Sequence, residues 1–474
     1  MTRYRLRPEL RLQRDAQGRH LLQDPALRRG LRLGADDARL AHALQGRGAE
    51  IASLVRSLGS GSDAAAVARR LSGLARLYLL DGKRSATRVA LRPAEQPDLA
   101  SIAATVPLLW PRGPNPPRHR CVARGACCSS SFLGPMTAAD RVRVEGLRMG
   151  QRSRVADGSD AIELLVHGGR EFAGMARQSG QCVAQGDDGL CDVHATHGYE
   201  VKPVPCRQFP LRFHRSERGV HVSLLLACEA YSEAREAQQE PWSAREAEVR
   251  SLLAEGAVAV PLAWPHELTV GVPEASDAYW STVEAMLDAA RGEATAAGAL
   301  LAAAAILQQA TEARAATLRE GPEIATPAVL EPLAACLDGR FDSTWIGARV
   351  EALRARADDL RQRDEPADAR RLARLGEVFA SWVDAPDLAA DCDPTATRLL
   401  HDVVVNDLAA AVGLGPLDAG LLAIGRKVAA AERDARLRAA QGGRATVHGE
   451  DATLALKLVS RSEVDVADLA RALA

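Results

Sequence analysis

Seven of the nine cysteines in this 474-residue chain fall within one stretch of about a hundred residues. They are Cys121, Cys127, Cys128, Cys182, Cys191, Cys206 and Cys228. Thiolates oxidise readily and scavenge soft metals, so such a dense group calls for a specific role. The clustering predicts a metal site, and it constrains the fold of this segment strongly because the ligands of one metal must converge.

The individual cysteines differ in what their surroundings predict. The side chains of the adjacent Cys127 and Cys128 usually diverge from the backbone. They supply either one ligand and one packed thiol, or ligands that face two metal centres. Cys228 ends the apolar run HVSLLLACEAY, which leaves open both a ligand and a small buried hydrophobe.

Four further residues are set apart from the predicted ligands. His194 and His197, in the run CDVHATHG, are interpreted as structural residues or as groups that orient the site. Cys336 and Cys392 are isolated in helical sequence, and we interpret them as core or surface thiols.

Composition places the chain among folded globular proteins, since its net charge is −1 and 47% of its residues are hydrophobic. The N-terminal run MTRYRLRPELRLQRD lacks the apolar segment of a signal peptide. The longest apolar run, around 298–307, is too short to cross a bilayer. These features predict a cytoplasmic protein without membrane contact, and in that compartment metal ligation is favoured over disulfides.

The order of patterns along the chain predicts a mainly α protein in four parts. Residues 1–92 alternate like short strands and then show helical spacing, which predicts a small α+β, winged-helix-like module. Seven prolines between 93 and 117 predict a linker without regular structure. Residues 118–235 are predicted to form an irregular, metal-organised cysteine-rich domain. Residues 240–474 are alanine-rich with helical periodicity, which predicts a helical bundle.

Local signals place the element boundaries. Strands are predicted at Tyr4–Leu12, Arg19–Gln23 and Gly30–Leu33. Helix starts are predicted at Asp36 or Asp37 and at Ser62, with stops at Gly46, Gly59 and Gly82. Ser276 is predicted to cap a helix whose Trp280, Val283 and Leu287 share one face. Further helical patterns cover 297–318, 346–363, 366–384, 396–412, 417–438 and 463–473.

The N-terminal part carries a resemblance of its own. The run GLRLGADDARLAHALQG, followed by two more helical patterns, resembles the PqqD-like peptide-recognition fold over about eighty residues. The resemblance implies a protein or peptide partner. Nine arginines among the first 34 residues permit nucleic-acid binding, but no reading helix or interleaved aromatics accompany them. A protein or peptide partner is therefore ranked above nucleic acid.

The cysteine region resembles a known family as an ordered set of motifs. C-x5-CC is followed by G-x-C, by CDVH and by KPVPCRQFP. This order resembles the YkgJ-type "CxxCxxCC" cysteine-cluster proteins over Arg118–Tyr231. The resemblance implies a zinc- or iron-chelating domain. The second cysteine of the family pattern falls at Arg124, which removes one potential ligand.

A narrower resemblance concerns the stretch between Cys191 and Cys206, which has the form C-x-V-H-x3-G-x4-P-x2-C. It is similar to the flagellin lysine N-methylase branch of the same superfamily. That resemblance implies an iron–sulfur centre, S-adenosylmethionine and methyl transfer to protein lysines. The chain lacks a recognisable Rossmann-type loop, which counts against an ordinary methyltransferase, and no catalytic residues are identified.

The spacing of the cysteines favours iron–sulfur over zinc. Structural zinc sites usually show two close pairs such as C-x2-C, and the chain has none. Widely spaced cysteines from several loops are more typical of an iron–sulfur cluster. The radical-SAM signature C-x3-C-x2-C is also absent. Three hypotheses follow: a metal-binding protein, a protein lysine N-methylase, and an adaptor in which the metal only holds the fold.

Overall fold

The structure is a computed structural model. It describes residues 3–14, 18–27, 29–58, 63–91, 97–110, 125, 135–167, 170–178, 181–224, 241–261, 266–318, 330–337, 391–411 and 416–463, with single positions between 350 and 377. Helices predominate, which confirms the mainly α expectation. No helix among these residues is long and apolar enough to cross a bilayer.

The N-terminal part combines one small sheet with four helices. The antiparallel strands are β1 (Arg11–Arg14), β2 (His20–Asp24) and β3 (Arg29–Leu33), in that order across the sheet. The helices are α1 (Ala35–Leu44), α2 (Ile51–Leu58), α3 (Ala64–Arg76) and α4 (Lys83–Ala90). Leu22 of β2 packs with Leu40, Leu44 and Leu71 in a core that belongs to this part alone.

Several local predictions for this part need correction. Of the predicted strand Tyr4–Leu12, only Arg11 and Leu12 belong to a strand, β1, while Tyr4 and Leu6 form single bridges to Ala49 and Leu80. These two partners lie in the connections after α1 and α3 and not in a second strand. Gly82 does not end the helical part; it precedes α4, since a glycine fits a helix start as well as a stop. Asp63 caps α3 by accepting a bond from the backbone N–H of Ala66. Ser62 and Gly59 lie outside the described residues.

The proline-rich stretch contains regular structure that the sequence did not predict. It holds a short helix, α5 (Leu99–Ile102), and a short strand, β4 (Leu108–Leu109). The side chain of Asp98 caps the helix through the N–H of Ser101. Residues 93–117 are therefore more than a spacer between two folded parts.

Short elements make up the cysteine region. They are α6 (Ala138–Glu145), β5 (Ile162–His167), β6 (Arg170–Met175), β7 (Arg177–Gln178), β8 (Gln181–Cys182), α7 (Asp192–His197) and α8 (Val204–Gln208). Strands β5 and β6 form one antiparallel hairpin, and β7 and β8 form another. A small core around Met136, Val144, Met175 and Val193 joins them.

The next hairpin packs with the helices and not with the small core around Met136 and Val193. Its strands are β9 (Leu211–Ser216) and β10 (Gly219–Leu224), flanked by β4 on one side and by β11 (Ala259–Pro261) on the other. Phe213 and Val222 of this sheet belong to the large core of the helical part. The predicted boundary near 235–240 therefore does not coincide with a boundary between hydrophobic cores.

The C-terminal part is helical, with two short strand pairs. Its helices are α9 (Glu246–Ala254), α10 (Ser276–Arg291), α11 (Ala296–Thr317), α12 (Leu330–Leu337), α13 (Pro394–Ala411), α14 (Leu417–Gln441) and α15 (Gly449–Glu463). Its strands are β12 (Glu267–Thr269), β13 (Val272–Pro273), β14 (Asp391–Cys392) and β15 (Thr446–Val447). Trp280 and Val283 of α10 are buried and Leu287 packs partly against the same core, as predicted. Most of the patterns at 346–363, 366–384 and 463–473 lie outside the described residues.

Candidate metal centre

Three of the seven predicted ligands are described, and all three border the same small core. Cys182 is 7% exposed and belongs to the core around Met136 and Val193. Cys191 and Cys206 are partly buried and pack against that core. The structure thus brings the second, third and fourth cysteine motifs to one region. The other predicted ligands, Cys121, Cys127, Cys128 and Cys228, lie outside the described residues.

A tight turn separates Cys182 from Cys191. The turn closes with hydrogen bonds from the N–H of Gly186 to the carbonyl of Leu190 (2.9 Å) and from the N–H of Gly189 to the carbonyl of Gly186 (3.0 Å). Gln185 and Cys191 form an antiparallel bridge across its base. The turn therefore fixes the backbone on which these two thiols are carried.

Asp192 anchors the backbone immediately after Cys191. Its buried carboxylate accepts hydrogen bonds from the backbone N–H groups of Gly150 (2.5 Å) and Arg152 (3.3 Å). Its own N–H donates to the carbonyl of Ala184 (2.7 Å). A buried carboxylate that accepts several N–H bonds holds its segment in place, so Cys191 has little freedom to move away from the core.

Gln185 joins the turn to the first cysteine motif. Its Nε2 donates to the backbone carbonyls of Gly125 (2.9 Å) and Gly189 (3.3 Å). The side chain is only 5% exposed, and its Oε1 has no hydrogen-bond partner among the described residues. Gly125 lies inside C-x5-CC, between Cys121 and Cys127. The contact therefore places a residue of the first motif against the loop of the second and third.

Gly125 is required at this contact for two reasons. Its φ of +66° lies in the left-handed region that favours glycine. A Cβ at this position would lie 1.9 Å from Nε2 of Gln185 and 2.3 Å from the carbonyl oxygen of Gly189. Only a residue without a side chain can approach the turn this closely.

The segment that carries Cys206 is held from three directions. The N–H of Val204 lies 3.1 Å from both carboxylate oxygens of Asp140, which also forms a capping box with Thr137 at the start of α6. Arg207 is 3% exposed and donates to Glu255 through both terminal nitrogens. The Gln208 amide pairs with the backbone N–H and carbonyl of Val258 at 3.0 and 2.8 Å. Helix α8 is therefore rigidly placed, and Cys206 with it.

The two histidines support the surroundings of the site. Nε2 of His197 donates to the carbonyl of Arg148 at 2.8 Å, which ties the end of α7 to the preceding loop. His194 is exposed and meets the Tyr199 ring edge-on at 5.8 Å. Partial burial and the charge of Lys202 lower the pKa of His194. The interpretation of both residues as structural residues or as groups that orient the site stays a prediction.

The described residues do not complete a metal site by themselves. Among them, no three His, Cys, Asp or Glu side chains converge closely enough to hold a metal ion. A full ligand set would need one or more of the four predicted cysteines that lie outside the described ranges. The donors that are described nevertheless fit a soft metal, since Cys182, Cys191 and Cys206 are thiols carried on anchored backbone.

Sequence reasoning missed the residues that assemble the region. The hydrogen bonds of Gln185, Asp140 and Arg207 join residues that are 60, 64 and 48 positions apart in the sequence. No local sequence pattern predicts contacts of this length. Only the capping-box spacing of Thr137 and Asp140 could have been found in the sequence.

Comparison with family models, with curated proteins and with solved structures gave no match.

Proposed function

We propose that residues 118–235 bind a metal centre through cysteine thiolates, and that the centre is an iron–sulfur cluster in preference to zinc. The observation that carries the proposal is the hydrogen bond from Gln185 to Gly125. It links the C-x5-CC motif to the loop between Cys182 and Cys191, and these two segments are 60 residues apart in the sequence.

Chain geometry limits how far the first cysteines can lie from this contact. An extended chain spans at most about 3.5 Å per residue. Cys127 is two positions after Gly125, so their Cα atoms are at most about 7 Å apart. Cys121, four residues away, is limited to about 14 Å. Both distances are compatible with ligands that share one centre with Cys182 and Cys191.

Burial of the thiols favours metal ligation once they ionise. An ionised group removed from water needs a compensating partner, and a metal bond of about 2.3 Å to sulfur provides one. Cys182 is 7% exposed, and Cys191 and Cys206 border the same core. An apolar shell of this kind also limits solvent access to a cluster, which is one factor that sets its reduction potential.

Gln185 has the features of a residue that supports a metal site. Its amide nitrogen holds the backbone of the first motif, while its buried Oε1 has no partner among the residues described. Groups in this position commonly orient the metal ligands.

The proposal is tested by comparing a partly buried cysteine of the cysteine region with a buried cysteine of the helical part. Cys206→Ala should release metal because it removes a ligand, whereas Cys336→Ala, 8% exposed in α12, should leave the metal content unchanged. Metal and sulfide per protein are measured on anaerobically purified variants. Equal metal loss from both variants would show that the site has been assigned wrongly.

A titration separates metal binding from the methylase alternative. S-adenosylmethionine is added to metal-replete and metal-stripped protein in a calorimeter. Binding to the metal-replete form alone would extend the proposal to methyl transfer. If the metal-replete protein does not bind it, the enzyme alternative is removed and metal binding stands alone.

A further inference from the structure

A second candidate site lies in the helical part and shares no residue with the cysteine core. It is a cavity of about 370 Å³ between the end of α10 and the start of α13. Glu293, Arg398 and His401 are among its lining residues. The volume is at the lower end of the range for small-molecule sites, which suits a ligand the size of an amino acid.

Arg398 gives one side of the cavity a positive charge. Its side chain is exposed, and it forms no ion pair with any residue that the structure describes. It lies in the second turn of α13, an 18-residue helix whose start is capped by Asp393 through the N–H of Ala396 (2.7 Å). Because the Asp393 carboxylate already accepts from the N-terminal N–H of Ala396, the guanidinium of Arg398 is the positive group on this side of the cavity. This side of the cavity therefore favours a carboxylate.

Glu293 gives the cavity a negative charge. It lies between α10 and α11, and a Cβ added at Gly298 would be 2.8 Å from its Oε2. The carboxylate is exposed and lies beside the first turn of α11. Within the described part of the chain it pairs with no cation, and it does not pair with Arg398 on the same cavity. Two opposite charges thus line one cavity without neutralising each other.

His401 adds an acceptor near the negative charge. Nε2 of His401 lies 3.0 Å from the carbonyl of Ala290 and must donate, because a carbonyl only accepts. In the neutral ring, Nδ1 is then left as an acceptor. Cys392 also lines the cavity, and burial together with Glu432 raises the pKa of its thiol. The thiol therefore stays protonated and adds no negative charge.

We infer that this cavity binds a small zwitterion of the α-amino acid class. The ligand carboxylate pairs with Arg398, and the ligand ammonium donates to Glu293 and to Nδ1 of His401. A simple anion would leave Glu293 without a partner and would be repelled by it. A simple cation would leave Arg398 unpaired in the same way. A ligand with both charges gains an ion pair on each side, whereas a single-charge ligand gains one and meets a like charge on the other side.

The test is a set of calorimetric titrations of the full-length, metal-replete protein with the standard L-amino acids, one at a time. Acetate and methylammonium serve as single-charge probes. At least one amino acid should bind, and both single-charge probes should bind far more weakly. Arg398→Gln and Glu293→Gln should each weaken amino acid binding on the order of tenfold or more, the effect of losing a charge-assisted hydrogen bond.

Arg56→Gln is the matched control, because Arg56 is an exposed arginine on α2 that forms no ion pair with a described residue. It should leave binding unchanged. The inference is overturned if no amino acid binds or if a single-charge probe binds as tightly as any amino acid. It is also overturned if Arg398→Gln and Glu293→Gln bind as the unmodified protein does.

Discussion

Nε2 of Gln185 donates a hydrogen bond to the backbone carbonyl of Gly125 at 2.9 Å, across 60 residues of sequence. The same nitrogen reaches the carbonyl of Gly189 at 3.3 Å, so one side chain holds two glycine-containing loops together. One of these loops lies between Cys121 and Cys127, and the other lies between Cys182 and Cys191. The contact therefore links the first cysteine motif to the loop between the second and the third.

Gln185→Ala should weaken metal retention on the order of tenfold, a typical effect of removing a residue that orients metal ligands. The reason is that the first cysteine motif loses its attachment to the turn. The measurement is metal per protein after dialysis against a competing chelator.

Gln178→Ala is the matched control, since Gln178 is exposed in β7 of the same region. It should retain metal like the unmodified protein. Full metal retention in Gln185→Ala would contradict the role assigned to the contact.

Gly125→Ala tests whether the close approach of Gly125 to the turn contributes to stability and metal binding beyond the effect of its positive φ. The new Cβ would meet Gln185 and the backbone of Gly189, in addition to the cost of a positive φ. We expect the loss of metal and a free energy of unfolding lowered by more than in the control. Gly46→Ala is that control, because its φ of +68° is nearly the same and nothing lies within 4 Å of its Cβ.

Gly46→Ala should cost only the conformational term, about 1 kcal/mol. Chemical denaturation of both variants gives the comparison. Equal losses of stability, with metal retained in both, would show that the approach of Gly125 to the turn is unimportant.

Arg207→Leu should lower the free energy of unfolding by about 2 kcal/mol. Removing one member of a buried ion pair costs about 3–5 kcal/mol, and partial exposure of Glu255 reduces this. Metal content should fall as well, because Arg207 holds the helix that carries Cys206. Denaturation curves and metal analysis provide the two readouts.

Arg141→Leu removes an exposed pair with Glu145 and should cost no more than about 0.5 kcal/mol. Metal content should not change in this control. A similar loss of stability in both variants would contradict the structural importance of the buried pair.

His221 should make the protein sensitive to mild acid. It stacks on Trp280 with ring centroids 4.7 Å apart, and burial, reinforced by Arg218, lowers its pKa from about 6.5 to about 4. The unfolded chain then takes up the proton first as the pH falls. The free energy of unfolding should decrease between about pH 6.5 and pH 4, by roughly 3 kcal/mol in total, and change no further through this group at lower pH.

The dependence should be reduced in His221→Gln, measured as the slope of stability against pH. His42→Gln, at an exposed position of α1, should keep the slope of the unmodified protein. An unchanged slope in His221→Gln would show that this histidine is not the sensing group.

Local patterns predicted the parts of the fold that local interactions determine. The helix from Ser276 was readable because the spacing of Trp280 and Val283 places both on one buried face. Gly82 was misread because glycine is compatible with both ends of a helix. Leu108 was assigned to a linker because its strand forms only by pairing with Val220, more than a hundred residues away.

The candidate site shows the same division. The cysteines themselves predicted a metal site, and their order carried a family resemblance. The side chains that bring the motifs together are an amide, a carboxylate and a guanidinium: Gln185, Asp140 and Arg207. Such residues are common on any surface, and only long-range packing gives them their role.

Metal and sulfide analysis of anaerobically purified protein, with its visible spectrum, tests the central claim most directly. We predict a brown protein with a broad visible absorption band, in which iron and acid-labile sulfide are present together. A colourless protein that carries zinc would contradict the choice of iron–sulfur. A protein that carries neither metal, and takes up neither on anaerobic reconstitution, would contradict the metal centre itself.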